Sequence, residues 1–179
     1  MSIPFLSYNV IWKKDICVLL IMKIEFDIII PENVLYKQYA KESEFMTYTV
    51  KTGFENMDVQ WVVKALQSTY WADDRSAETI EKSMKNSECF GVFEGEKQVG
   101  FCRVITDYAT TYYFCDAIID ESCRKQGIGS IMLRAVTEDE RFNSLRGILG
   151  TKDAHGFYEH FGFEKNDKLF MQRWTKVFK

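Results

Sequence analysis

The run Arg124-Lys125-Gln126-Gly127-Ile128-Gly129-Ser130 has the ingredients of a phosphate cradle. Two glycines let backbone approach a ligand closely, and the unpaired N–H groups and positive dipole end of a helix start attract a pyrophosphate. Arg124 and Lys125 add positive charge, and Ser130 offers an amide or a hydroxyl, with ordinary helix capping as its competing use. The run has neither the full dinucleotide-binding fingerprint nor the GK[ST] ending of a nucleoside-triphosphate loop. Its strength lies in its setting, because an apolar strand pattern precedes it and a helical pattern follows.

Other residues are candidates for proton handling or ligand contact. Asp116 is the charged residue inside the apolar run TYYFCDAIID at 111 to 120, which Asp120 closes. It reads as a paired core carboxylate, a group that orients substrate, or a proton acceptor. Trp71 and Arg75 follow a helical pattern and could border a cleft, although a packed indole and a solvated guanidinium are the simpler expectation. Arg103 stands among apolar strand neighbours, where a place near a cleft competes with a strand-end salt bridge. His155 and His160 lack HxxxH spacing, and Cys17, Cys89, Cys102, Cys115 and Cys123 form no CxxC pair, so no metal site is expected. Cys123 beside the cradle has no partner histidine in sequence that would make it a nucleophile.

These residues need elements to hold them. Residues 46 to 52 have strand propensity, after which Asp58 is placed to cap a helix with Val59, Val62, Val63 and Leu66 in helical period. Ser76 is placed to cap a second helix containing Ile80 and Met84. Residues 89 to 94 and 98 to 106 read as a hairpin turning at Glu94-Gly95-Glu96-Lys97. Strict alternation in its second strand would put Val99, Phe101, Arg103 and Ile105 on one face. The run at 111 to 120 reads as an internal strand covered on both faces. Ile128, Met132, Ala135 and Val136 give the next helix an inner face, GILG at 147 to 150 a short strand, and Asp153 a cap for a helix with Phe157 and Phe161 stacked four apart.

The first forty-five residues are less legible and are expected to form an N-terminal extension, with a strand over 21 to 30 and a short helix after it. The chain of 179 residues, 46% apolar, has room for one core and not for several full-size domains. A formal charge of -3 gives no global attraction to nucleic acid or anionic membrane. The apolar run at 16 to 22 is too short to span a bilayer, and Asp15 with no small-residue cleavage site argues against a signal peptide. A reducing cytoplasm suits the cysteines. The aromatic residues are compatible with a monomer and with a homodimer alike.

Over residues 46 to 174 the chain resembles the GNAT superfamily of acyl-CoA N-acyltransferases. RKQGIG matches that family's Q/R-x-x-G-x-G/A coenzyme motif, and HGFYEHFGF at 155 to 163 resembles its terminal helix-to-strand signature. The resemblance implies an α/β fold with a mixed, mostly antiparallel central sheet, flanking helices and a splayed acyl-CoA cleft, with residues 46 to 179 as an acetyltransferase domain. It implies acetyl-CoA as cofactor, its pantetheine arm paired near Ile118 and Ile119 and its pyrophosphate held over Arg124, Lys125, Gln126, Gly127, Ile128, Gly129 and Ser130. Tyr158 then corresponds to a tyrosine that protonates the departing thiolate, and Asp116 to an orienting group or base. Trp71, Arg75 and Arg103 remain secondary substrate contacts. The partner would be an amine-bearing small molecule or peptide, with no metal required. A non-catalytic acyl-CoA-binding regulatory module, or a transferase using a longer acyl-CoA, is the alternative.

Overall fold

The computed structural model describes residues 10–13, 16–18, 47–166 and 171. The strand and helix expected over residues 21 to 45 lie outside them. Seven strands form one sheet in the order β2-β1-β3-β4-β5-β6-β7: β1 Val10–Lys13, β2 Ile16–Val18, β3 Thr47–Thr52, β4 Glu88–Glu94, β5 Lys97–Thr106, β6 Thr111–Ile119 and β7 Arg146–Leu149. Every neighbouring pair is antiparallel except β6 with β7. That exception follows from the connection, since α3, Ile128–Thr137, carries the chain back to start β7 in the same direction as β6.

Local chemistry accounts for the helix boundaries. Asp58 accepts from the Trp61 N–H at the start of α1, Val59–Gln67, and Ser76 accepts from the Thr79 N–H at the start of α2, Ala77–Lys85. Each cap satisfies a donor that the helix itself cannot. The fourth helix, α4 His155–Glu159, departs from expectation: its cap residue is Ala154, whose N–H donates to Thr151 Oγ1, and Asp153 does not cap it. Residues 163 to 166, at the end of the helix-to-strand signature, run irregularly.

Helices cover the sheet on two faces and make two cores. On one face α3 lays Ile128, Ile131, Met132, Leu133 and Val136 against Phe90, Val92, Cys102, Val104, Tyr112 and Phe114. Phe157, Tyr158 and Phe161 of the α4 region pack on the same cluster. On the other face Val62 and Leu66 of α1 and Ile80 and Met84 of α2 pack with Phe93, Phe101 and Ile118.

Two bulges alter the expected alternation. Across β4 and β5, Val92 opposes Gly100 while Phe93 opposes Gln98, which leaves Val99 as an extra residue. Val99 consequently packs in the α3 core, opposite to Phe101, instead of sharing its face. Across β5 and β6, Phe101 opposes Ile118 but Arg103 opposes Cys115, so β6 carries one residue more than its partner there. Asp116 sits at this bulge with φ 54, a left-handed conformation that costs a non-glycine residue about 1–2 kcal/mol. Nor is β6 covered on both faces throughout. Ile105 is 44% exposed and Tyr113 41%, so this end of the sheet lacks a helix over one side.

Leu133 is fully buried between α3 and the sheet. Leu133→Ala is expected to lower unfolding free energy by about 2–5 kcal/mol, through lost burial and the cavity left behind, measured by denaturant titration.

Candidate acyl-CoA and acceptor site

The site begins where β6 outruns β7. Their parallel pairing covers Thr111 with Arg146 through Phe114 with Leu149, yet β6 continues to Ile119. Its edge from Cys115 to Ile119 therefore faces a gap in the sheet instead of a neighbouring strand. The Ile119 carbonyl is not wholly free, because Arg124 Nε donates to it at 3.3 Å.

The gap leads to the start of α3. Lys125 has φ 63 and Gly127, the residue capping α3, has φ 81, so two left-handed residues flank Gln126. Alternating left- and right-handed backbone turns successive N–H groups toward one concavity and makes an anion nest. Among the described residues, the amides of Lys125 to Gly129 donate to no protein acceptor. The Ser130 amide differs: it donates to the Gly127 carbonyl at 3.0 Å and is spent on starting the helix, leaving its hydroxyl as the group that could reach a ligand. Arg124 is exposed and ion-paired with Glu121, and Lys125 is exposed without an ion pair among the described residues. A diphosphate fits this arrangement through donors and charge already in place.

One support for the nest was not legible in sequence. The Tyr48 hydroxyl, on β3, donates to Gln126 Oε1 at 2.9 Å, while Gln126 Nε2 donates to the Ser122 carbonyl at 3.2 Å. The glutamine side chain thus ties the turn back to the sheet. A partner 78 positions away in the chain leaves no local signal.

Tyr158 closes the gap from the α3 side. Its ring meets those of Phe114, Phe157 and Phe163 edge to face, with centroids 6.0, 5.2 and 6.1 Å away. A Cβ at Gly129 would meet the Phe157 ring at 3.4 Å, an ordinary van der Waals contact. The Tyr158 hydroxyl makes no hydrogen bond to the described protein residues. Burial above all, with the neighbouring Cys102 thiol and Asp153 carboxylate adding to it, pushes its pKa up to about 12, so the phenol keeps its proton at neutral pH.

On the opposite face the structure brings Arg75, Arg103 and Asp116 together. Arg75 Nη1 donates to both Asp116 oxygens, at 3.0 and 3.1 Å, and Arg103 Nε donates to Oδ2 at 2.6 Å. The side chain of Asp116 is 3% exposed, that of Arg103 12% and that of Arg75 19%. Arg75 is therefore no solvated guanidinium; its Nε is fully buried without a partner, an arrangement that costs about 1–3 kcal/mol when left unsatisfied. Burial opposes the charge on Arg103, but the Asp116 carboxylate outweighs it and holds the guanidinium pKa above its ordinary value. Trp71 stands apart from this cluster as a 40% exposed indole packed edge to face on Tyr70 at 5.0 Å. Lys152, just past β7, lies 5.4 Å from the Tyr70 ring and brings that loop against the α1–α2 turn.

The remaining candidates have structural surroundings. Cys123 is buried with its sulfur 3.5 Å from Ser122 Oγ. Burial is the leading influence raising the thiols of Cys89 to about 11 and Cys115 to about 12, which keeps both protonated and unreactive. His155 opens α4 and His160 follows it, and no cluster of metal-binding side chains occurs among the described residues.

A family described as "Acetyltransferase (GNAT) domain" matches residues 85–165, a span running from the end of α2 through the nest and past Tyr158. A solved structure from Xanthomonas campestris pv. campestris, assigned to the GNAT family of acetyltransferases, is 31% identical; the match covers 73% of this chain and 94% of that one, with a TM-score of 0.69. The chain belongs to the GNAT family. A GNAT-family acetyltransferase from Streptococcus pneumoniae shares the fold at 24% identity and TM-score 0.61, covering 72% of this chain and 98% of that one. A Deinococcus radiodurans protein does so at 18% identity and TM-score 0.59, covering 70% and 88%. The comparison with curated proteins finds no match. GNAT membership makes acyl-CoA-dependent acyl transfer the general activity of this chain, on the expected mixed sheet with flanking helices.

Gly127→Ala forces a side chain into left-handed backbone at a strain of about 1–2 kcal/mol. Acyl-CoA affinity is expected to fall roughly tenfold or more as the amides turn away, read by calorimetric titration of a variant with native circular dichroism. Asp116→Ala leaves two guanidinium groups buried without their anion and is expected to cost about 3–5 kcal/mol in chemical denaturation.

Proposed function

We propose that the protein is an N-acetyltransferase that moves an acetyl group from acetyl-CoA to a primary amine by direct attack. The observation that carries this reading is the gap between β6 and β7, bounded by the open amides of residues 125 to 129 at one end and by the Tyr158 hydroxyl on one face. Bound acetyl-CoA supplies an activated thioester: the amine nitrogen takes the acyl carbon as the C–S bond breaks, the amine loses a proton to water, and the thiolate gains one.

Each residue then has a distinct task. Gly127, Ile128 and Gly129 present backbone donors to the diphosphate, Arg124, Lys125 and the Ser130 hydroxyl reinforce them, and Gln126 braces the turn. The free edge of β6 near Ile118 and Ile119 pairs with the extended pantetheine chain as a strand would. Tyr158 donates the proton to the leaving sulfur, and its unengaged hydroxyl supports that role. Of the two roles open to Asp116, orientation is favoured over proton acceptance. Three guanidinium hydrogen bonds engage its oxygens, and taking a proton would weaken the charge-assisted contacts that hold them. Arg75 and Arg103 line the acceptor side, and Trp71 borders its rim.

Tyr158→Phe keeps the ring and removes the donor. Single-turnover acetyl transfer is expected to slow by about 10²–10⁴-fold with acetyl-CoA affinity little changed; an unaltered rate would contradict the assignment. Because the Tyr158 pKa is held at about 12, the donor is present below that pH and lost only as pH rises through it. The wild-type rate should show no falling limb from this group at neutral or mildly alkaline pH, measured by stopped-flow across the range where the fold is retained.

A further inference from the structure

The cluster opposite Tyr158 does not balance its charges. Arg75 and Arg103 share one carboxylate, and no other acid is ion-paired with either guanidinium among the described residues. Asp73 and Asp74, next to Arg75 in the chain, are exposed and make no such pair. One positive charge is therefore left over in a setting where more than four-fifths of each side chain is out of solvent. The cost of burying an unpaired charge falls when an anion joins it.

Unused donors accompany that charge. Asp116 occupies only Nη1 of Arg75 and Nε of Arg103. No protein acceptor among the described residues meets Arg75 Nη2, Arg103 Nη1 or Arg103 Nη2, and Arg75 Nε is buried with no partner. Guanidinium groups present donors in a planar fork that matches the two oxygens of a carboxylate. Beside them Tyr113 and Ile105 leave this end of the sheet open to solvent.

The position is also suited to an acceptor. Asp116 lies two residues beyond Phe114, where β6 and β7 part, so the cations flank the mouth of the gap on the α1–α2 face while Tyr158 stands on the α3 face. An amine entering from the open face would pass these guanidinium groups before reaching the gap.

Resting on the acetyl-transfer reading for its amine, we infer that Arg75 and Arg103 form a carboxylate subsite, with Asp116 as the positioning residue that holds the two forks, and that the acceptor is an amino carboxylate. The anionic end docks on the guanidinium groups and turns the amine toward the gap.

The test reads binding first and transfer second, on the full chain. Propionate and the neutral propionamide are titrated while the side-chain Nε–H resonances of Arg75 and Arg103 are followed by NMR, assigned with Arg75→Lys and Arg103→Lys. Saturable shifts with propionate, absent with propionamide and weakened roughly tenfold in Arg103→Gln, are expected for charge-assisted binding. Arg103→Gln leaves Asp116 paired with Arg75, and its amide spectrum reports whether the fold is kept; if it is not, Arg103→Lys, which keeps the charge and loses the fork, serves in its place. Absence of a saturable shift, or equal shifts with both probes, overturns the subsite. The same preparation is then offered acetyl-CoA with β-alanine and 4-aminobutyrate against their primary amides. A higher kcat/KM for the carboxylates, lost in Arg103→Gln, supports the inference, and equal use of acids and amides overturns it while leaving acetyl transfer intact. Propionate binding with no amine acetylated would instead remove the acetyl-transfer reading and keep the subsite.

Discussion

The architecture depends on a strand pairing that stops early. Four residues of β6 pair with β7, and the next five do not. A β-strand edge in a sheet interior carries backbone donors and acceptors that need partners, and leaving it open is costly unless something pairs with it. Here the opening lies between two helices and beside a turn whose amides are likewise unpaired. Both unmet demands suit one elongated ligand with an amide-bearing arm and a diphosphate.

The left-handed residues show what maintains that opening. Asp116 at φ 54 and Lys125 at φ 63 hold conformations that glycine would adopt at less cost. At Asp116 the bulge swings the carboxylate to the α1–α2 face, where two guanidinium groups fix it. At Lys125 the turn points successive amides into one concavity, and the Tyr48 bond to Gln126 braces it from β3. Strain at both ends of the free edge is thus matched by specific long-range contacts.

Much of this was legible from periodicity and punctuation. Asp58 and Ser76 announce α1 and α2 because a capping oxygen acts on amides two or three residues away. The glycines and basic residues of the nest announce themselves because the requirement is local backbone freedom. The bulges at Val99 and Asp116 were not legible, since a one-residue register shift is fixed by the partner strand and alternation assumes there is none. Asp116 stood out as a charge in an apolar run, and Arg103 as a cation among strand hydrophobics, but their mutual pairing with Arg75 needed the fold. Asp153 had the right chemistry for a cap and the wrong position: Ala154 is the cap residue, its N–H donates to Thr151 Oγ1, and no side chain caps α4.

The most direct measurement of the account is amide hydrogen exchange on the full chain with and without saturating acetyl-CoA. The amides of residues 125 to 129 and the exposed edge of β6 from 115 to 119 should both gain protection, while the α1 and α2 amides change little. Saturable coenzyme binding that protects neither segment would contradict the central claim that this gap and its turn form the coenzyme site.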